Sequence, residues 1–424
     1  MLPSMVAEVG GAPFVAWTVS LYEIGSILAG AVSAYLTMRL GLRGPMAGAA
    51  LLFAFGCALC AVAPTMPLVL IARLLQGLGG GAMVAIAFVA VGVWFPKRFM
   101  PRTLAAMSLF WGASAFLGPL IGGLFVDYAT WRLGFWFFAL LAAGLCLWIL
   151  LAAKTDDDAI EAEETTVPLL RLLILAAAVL AIAYAGVVKS LTASLGLVLL
   201  GSGGLLAFLM LDGRSGARRL LPQGGLALNQ ASGAALVMIL TLTIATIAIT
   251  AYGPILMIQI HGISALTAGY IVAASSVGWT ITMVAFSGAT ERWDRPLIVI
   301  GVIVTVFSIV GFAYAVPRGP IWLITLFAGL EGGGFGLAWT FILRHGTAQI
   351  QTSEHKRFAA AMPTIQRLGY ASGAAYIGIV ANALGFAAVM SKPEAAGIAQ
   401  SLFLASLPFS AVSLVAMALL VRRR

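Results

Sequence analysis

Apolar runs of about 20 residues follow one another along nearly the whole chain, and nothing else in it constrains the fold as tightly. Each run is long enough for a helix to cross a hydrocarbon core about 30 Å thick. Thirteen are predicted, over residues 13–37, 46–63, 67–94, 103–126, 134–153, 168–188, 191–211, 226–252, 264–289, 297–315, 320–343, 359–386 and 397–420. Within lipid every backbone N–H and C=O needs an internal partner, which leaves helices or closed barrels. The alternating pattern of a barrel strand is missing, so the runs read as helices. Composition agrees: 62% of the 424 residues are hydrophobic and 9% charged, a balance that no water-soluble globule of this size tolerates. The 48 glycines suit close helix packing in lipid. The sequence therefore defines an all-α, polytopic membrane protein with the lipid bilayer as its solvent.

The formal net charge of +9 suggests nucleic acid until its distribution is considered. With the chain crossing at every run, eighteen of the 24 basic residues share the side of the C-terminal Arg422, Arg423 and Arg424. Arg132, Lys189, Arg318 and Lys392 face the other side, while Arg73 and Arg367 are embedded. The positive-inside rule accounts for this asymmetry and predicts a cytoplasmic C-terminus, with no nucleic-acid partner. One connection, "KTDDDAIEAEETT" from Lys154 to Thr166, is acidic and reads as a solvated linker.

The chain also repeats itself. "ARLLQGLGGG", residues 72–81, returns as "AGLEGGG", residues 328–334, with Gly77 and Gly329 lying 252 positions apart. Arg43 and Arg295 share that offset, Arg39 and Arg292 differ by 253, and Pro3 and Gly11 match Pro254 and Gly262 at 251. A nearly constant offset over several pairs indicates two homologous halves. By that offset the run 226–252 maps before residue 1.

These motifs resemble the major facilitator superfamily, in particular its fourteen-helix drug:proton antiporter branch. "ARLLQGLGGG" is similar to the family's R-x-x-Q-G motif, with Arg73 and Gln76 in place. "SAFLGPLIGG", residues 114–123, resembles the antiporter motif through Gly118, Pro119, Gly122 and Gly123. "YLTMRLGLRG" is a degraded form of the signature loop: Arg39, Gly41 and Arg43 match, but Met38 stands where the family has an aspartate. "PTIQRLGYASG", residues 363–373, resembles the start of the penultimate helix and includes Arg367.

The resemblance implies two pseudo-symmetric helical bundles with two linker helices between them, about 13 transmembrane helices here. Residues 1–153 then form the N-terminal bundle without its first helix, 154–167 the linker, 168–211 the two extra helices and 212–424 a six-helix C-terminal bundle. A misassigned start codon, a deliberate shortening or a real truncation would explain the missing helix. The resemblance also implies a monomer in a bacterial inner membrane, exchanging small-molecule substrates for protons, with no cofactor.

An ionisable side chain at mid-bilayer costs about 2.5–3.5 kcal/mol on insertion scales, so embedded ones call for a reason. Arg73 and Gln76, three residues apart, share a helical face and can point into the bundle. Their roles are either a fixed guanidinium bonded to neighbouring carbonyls or a charge tuning a nearby carboxyl. Glu331 takes the place of Gly79 in the repeat and is a candidate proton or cation site. Burial favours the neutral form of an acid, as a proton carrier requires. Glu23, in the outer third of its run, is a second carboxyl candidate that could face an outer vestibule and stay ionised. Arg367 is a candidate for a gating ion pair or for substrate. Gly118 and Pro119 remove a backbone donor and bend their helix, and Gly122 and Gly123 permit close packing.

Trp94, Trp131, Trp293 and Trp322 fall at run ends as interface anchors, while Trp111, Trp279 and Trp339 fall within runs and could line a cavity for flat, lipophilic molecules. Cys57, Cys60 and Cys146 read as packing residues, and His261, His345 and His355 lie in loops without companions, so no metal site is expected. Proton-coupled efflux of lipophilic or amphiphilic compounds is the leading expectation, and no enzyme chemistry is indicated. Its rivals are an uptake symporter that pairs an organic anion with Arg73 and Arg367, and a non-transporting scaffold or sensor.

Overall fold

The computed structural model describes residues 1–94, 100–152, 168–188, 190–216, 219–347, 349–386 and 390–422. Within them the chain is helical from end to end. The first half comprises α1 (Leu2–Val9), α2 (Val15–Leu40), α3 (Arg43–Val62), α4 (Met66–Trp94), α5 (Met100–Tyr128) and α6 (Trp131–Ala152). A hairpin of α7 (Leu169–Ala185) and α8 (Leu191–Gly213) follows. The remainder comprises α9 (Ala231–Ala251), α10 (Gly253–His261), α11 (Ala265–Ala285), α12 (Asp294–Arg318), α13 (Ile321–Thr347), α14 (Thr352–Ala383), α15 (Lys392–Ala405) and α16 (Leu407–Arg422).

Ten stretches among the described residues are long and apolar enough to cross a membrane, the last of them spanning α15 and α16 together. Of the other three predicted spans, α7 is a shorter apolar helix of 17 residues, and α5 and α14 run for 29 and 32. The run 397–420 was expected to be one helix. It breaks at Ser406, because Pro408 has no N–H to give and its ring crowds the preceding turn. Two short helices were not expected. Each opens with a proline in its first turn and is followed by a glycine of positive φ, Gly11 at 80° for α1 and Gly262 at 66° for α10. The pairs Pro3/Pro254 and Gly11/Gly262 therefore mark one local structure made twice.

Packing repeats in the same way. α2 and α3 both pack on α4 and α3 on α6; correspondingly α11 and α12 pack on α13 and α12 on α15 and α16. Two seams join the halves, α2 with α14 and α5 with α11. α7 lies over the first seam, touching both α2 and α14, and Trp17 Nε1–H donates to the Ala183 carbonyl at 3.1 Å. α9 packs on α14 and α16.

The ends of the helices differ from one face to the other. On the face away from the basic loops, one apolar cluster runs from Met5, Val6 and Val15 through Tyr252, Leu256 and Phe312 to Ile377 and Phe403, tying both halves together. Toward the basic-loop face the joining is slighter, with Ile24 and Ile27 of α2 the buried first-half residues that enter the large second-half cluster. Ala47, Ala50 and Ile86 of the first half sit in two small clusters, apart from the large one around Ile298, Phe341 and Phe358.

Candidate functional site

The glycines of the first copy let two backbones touch. A Cβ on Gly77 would collide with the Tyr22 carbonyl, so only glycine permits the crossing of α2 and α4. That closeness lays the Arg73 guanidinium over the Tyr22 ring, 4.6 Å from its centroid. Arg73 Nε donates to the Thr18 carbonyl at 2.9 Å and Nη1 to Gln76 Oε1 at 2.6 Å, while Gln76 Nε2 donates to Cys57 Sγ at 3.6 Å. Gln76 is 1% exposed, so this small network is shut into the bundle.

The next residue after Tyr22 is Glu23, which meets a charge from the other half. Its carboxylate lies 3.3 Å from Arg367 Nη1, and Arg367 also donates to Ser26 Oγ. Beside them Ser20 Oγ donates to the Ala371 carbonyl at 3.0 Å. An ion pair in the apolar zone thus crosses the α2–α14 seam, one charge from each half.

The second copy has the same backbone crossing, where a Cβ on Gly332 would collide with the Ser275 carbonyl. Here the crossing presents an acid. Glu331 is 5% exposed and accepts a 2.5 Å hydrogen bond from Ser275 Oγ, and its own carbonyl accepts from Thr305 Oγ1 at 3.3 Å. Below it on α13, at four-residue spacing, stand Phe335 and Trp339, with Trp279 facing them from α11. Trp279 is 5.2 Å from Phe335 and 5.8 Å from Trp339 between ring centroids. Tyr370 stands on α14 three residues from Arg367.

The antiporter-motif residues divide. Gly123 packs tightly on Leu266 of α11, as a close crossing requires, but among the described residues nothing lies within 4 Å of a Cβ on Gly118, and Gly122 meets Met1 at 3.9 Å. Among these three glycines, the close crossing is made at Gly123 among the described residues. The side chains of Pro119 and Trp111 lie outside the described residues. In the loop motif Arg39 stacks on Tyr35 at 4.7 Å, Gly41 ends α2 with φ 70°, and Arg43 donates to the Leu150 carbonyl. Trp131 is 3% exposed and not an interface anchor, since its indole donates to Glu8 at 2.6 Å. Trp293 and Trp322 are well exposed at their helix ends, and the side chain of Trp94 lies outside the described residues.

Ser26, Ser275, Tyr22, Phe335 and Tyr370 were missed by the sequence reading. The four-residue ladder from Glu331 to Phe335 and Trp339 was visible in the sequence. The serines were not, because a single hydroxyl in an apolar helix usually bonds its own backbone. Among the described residues no cluster of three or more His, Cys, Asp or Glu could hold a metal ion.

Paired helical bundles with embedded charges at their junction define a polytopic transporter fold. The Major Facilitator Superfamily profile matches residues 1–223, just over half of the chain, and the chain belongs to that superfamily. It is therefore a multi-pass membrane transporter of small-molecule substrates. A probable multidrug-efflux transporter of Mycobacterium tuberculosis is 28% identical over 395 residues, covering 90% of this chain and 83% of its own. The multidrug transporter protein MdtP of Bacillus subtilis is 29% identical over 131 residues, 31% of this chain and 24% of that one. The crystal structure of the nucleoside transporter NupG superposes with a TM-score of 0.65 at 13% identity, over 100% of this chain and 94% of that one. That likeness carries the fold.

Proposed function

We propose that the protein is a proton-coupled exporter of lipophilic or amphiphilic small molecules, with its basic loops and C-terminus in the cytoplasm of a bacterial cell. The observation that carries this reading is the split of the embedded charges between the halves. Glu23 is held to Arg367 across a seam, while Glu331 is held by a neutral hydroxyl next to three aromatic rings. A carboxyl with no fixed counter-charge can lose and regain a proton without breaking an ion pair. Glu331 is thus the proton-coupling group, and Trp279, Phe335 and Trp339 offer flat apolar contact to substrate. The large apolar cluster that ties both halves together on the face away from the basic loops supports alternating access, with the halves hinging about that contact.

Both embedded arginines already engage protein oxygens, which favours export of apolar compounds over uptake of an organic anion. Proteoliposomes carrying the protein and a lipophilic fluorescent dye provide the test. An imposed pH gradient should move dye in the wild type and leave it unmoved in Glu331→Gln. Dye movement that survives that substitution overturns the assignment of Glu331, and movement indifferent to the gradient overturns proton coupling.

A further inference from the structure

The hairpin of α7 and α8 lies between the two copies in sequence and over a seam in space. At its basic-loop end it is fixed to the second half. Arg171, in the first turn of α7, pairs with Asp212 at the end of α8. Asp212, 2% exposed, also accepts the Leu220 and Leu221 amides at 2.8 and 3.0 Å, which ties the hairpin to the segment leading into α9. Leu172, Leu175 and Val179 of α7 are buried in one apolar cluster with Ile239 of α9 and with Phe358 and Ile365 of α14, which α2 enters through Ile24 and Ile27. By these bonds the hairpin belongs to the second half as one body.

At its other end the hairpin reaches across the seam. A helix leaves its last carbonyls without partners inside the helix. Those at the end of α7 are shared out. Ala185 accepts from Ser194 Oγ of α8 at 2.7 Å, a bond within the hairpin. The carbonyl of Gly186 accepts from Asn382 Nδ2 of α14 at 3.1 Å. Ala183 accepts from Trp17 Nε1 of α2, in the first half, at 3.1 Å. Asn382 Nδ2 also donates to the Pro13 carbonyl, just before α2, at 2.9 Å, so one amide group holds both halves. The fit is close, since a Cβ on Gly186 would come within 2.9 Å of the Ile379 backbone. Parting of the halves at this face breaks the Trp17–Ala183 and Asn382–Pro13 bonds. The Ser194–Ala185 and Asn382–Gly186 bonds travel intact with the second half.

We propose that the α7–α8 hairpin is a strap that holds the two halves shut on the face away from the basic loops, with Trp17 and Asn382 as its clasp. A bond made in one state and lost in the other shifts the balance between them by its own free energy. The apolar cluster on this face supplies area without direction, and the two N–H donors fix the register in which the halves meet. The inference rests on the alternating-access reading, but on neither Glu331 nor proton coupling.

The test uses the full chain in intact cells, with Ser20→Cys as the reporter. Ser20 is 0% exposed, three residues from Trp17 on α2, and is uncovered when the seam parts. The three native cysteines are buried. A membrane-impermeant maleimide is added outside and the rate of labelling is followed. Trp17→Phe and Asn382→Leu should each quicken labelling about threefold, and about tenfold together. Trp17→Phe keeps an aromatic ring in place, so it carries the test should Asn382→Leu fold poorly. Ser194→Ala breaks a bond of the same kind inside the hairpin and should label at the rate of Ser20→Cys alone. The proposal is overturned if neither clasp variant quickens labelling, or if Ser194→Ala quickens it equally. Unchanged labelling with dye movement intact removes the strap and spares the export reading. Quickened labelling without dye movement does the reverse.

Discussion

The α2–α4 and α11–α13 crossings are the same construction holding opposite charges. In each, a glycine brings one helix backbone onto the other, at Gly77 against Tyr22 and at Gly332 against Ser275. The first crossing surrounds a permanent cation, Arg73, with a carbonyl, an amide and an aromatic face. The second surrounds an acid, Glu331, with one hydroxyl, and among the described residues no guanidinium pairs with it. The two scaffolds are alike in backbone, and the side chains they carry make one hold a cation and the other an acid. An arginine cannot give up its proton in a protein, so the two copies would not be interchangeable in the proposed proton cycle.

Glu331→Gln tests that contrast most severely. It should abolish gradient-driven dye movement while leaving the amount of folded protein unchanged, as read by size-exclusion chromatography. Next in size are the crossings themselves. Gly77→Ala and Gly332→Ala should each cost about 3 kcal/mol by overpacking backbone against backbone, lowering the unfolding midpoint in detergent. Gly118→Ala, which meets open space, should stay within about 0.5 kcal/mol of the wild type. Breaking the seam pair with Glu23→Gln strands the Arg367 charge and should cost about 1–2 kcal/mol, reduced by partial solvent access. Glu23→Gln with Arg367→Gln should recover part of that loss, a coupling that a double-mutant cycle reads out.

The smallest expected effect lies outside the membrane zone. Hydrogen bonds from Trp131 and Arg132 hold the Glu8 carboxyl below the usual carboxylate range. Its contribution to stability is therefore complete at neutral pH. It begins to fade as the pH drops below the unfolded-state value and is gone below the folded one. Glu8→Gln should lower the neutral midpoint slightly and so flatten that small acid-side decline in a melting series. An unaltered decline would assign it to other groups.

Much of this architecture was legible in the chain because a membrane leaves few choices. Apolar length, the offset between copies and the placement of basic residues identify helices, halves and faces without reference to any contact. The break at Ser406 was legible too, from Pro408, although the continuous apolar run 397–420 hid it. That Arg73 and Gln76 share one helical face followed from their spacing. Glu23 did not follow, since its partner Arg367 lies 344 positions away on another half. Trp131 read as an anchor because its position at a run end says nothing about Glu8, which waits 123 positions earlier.

The sequence by itself determined that this protein is a bundle of membrane helices made twice, because lipid compels each apolar segment to satisfy its own backbone. Only the tertiary structure decided which polar side chains meet across the seams. Hydrogen bonds and ion pairs act over about 3 Å, and which distant helices come that close is set by how the glycine-lined faces pack.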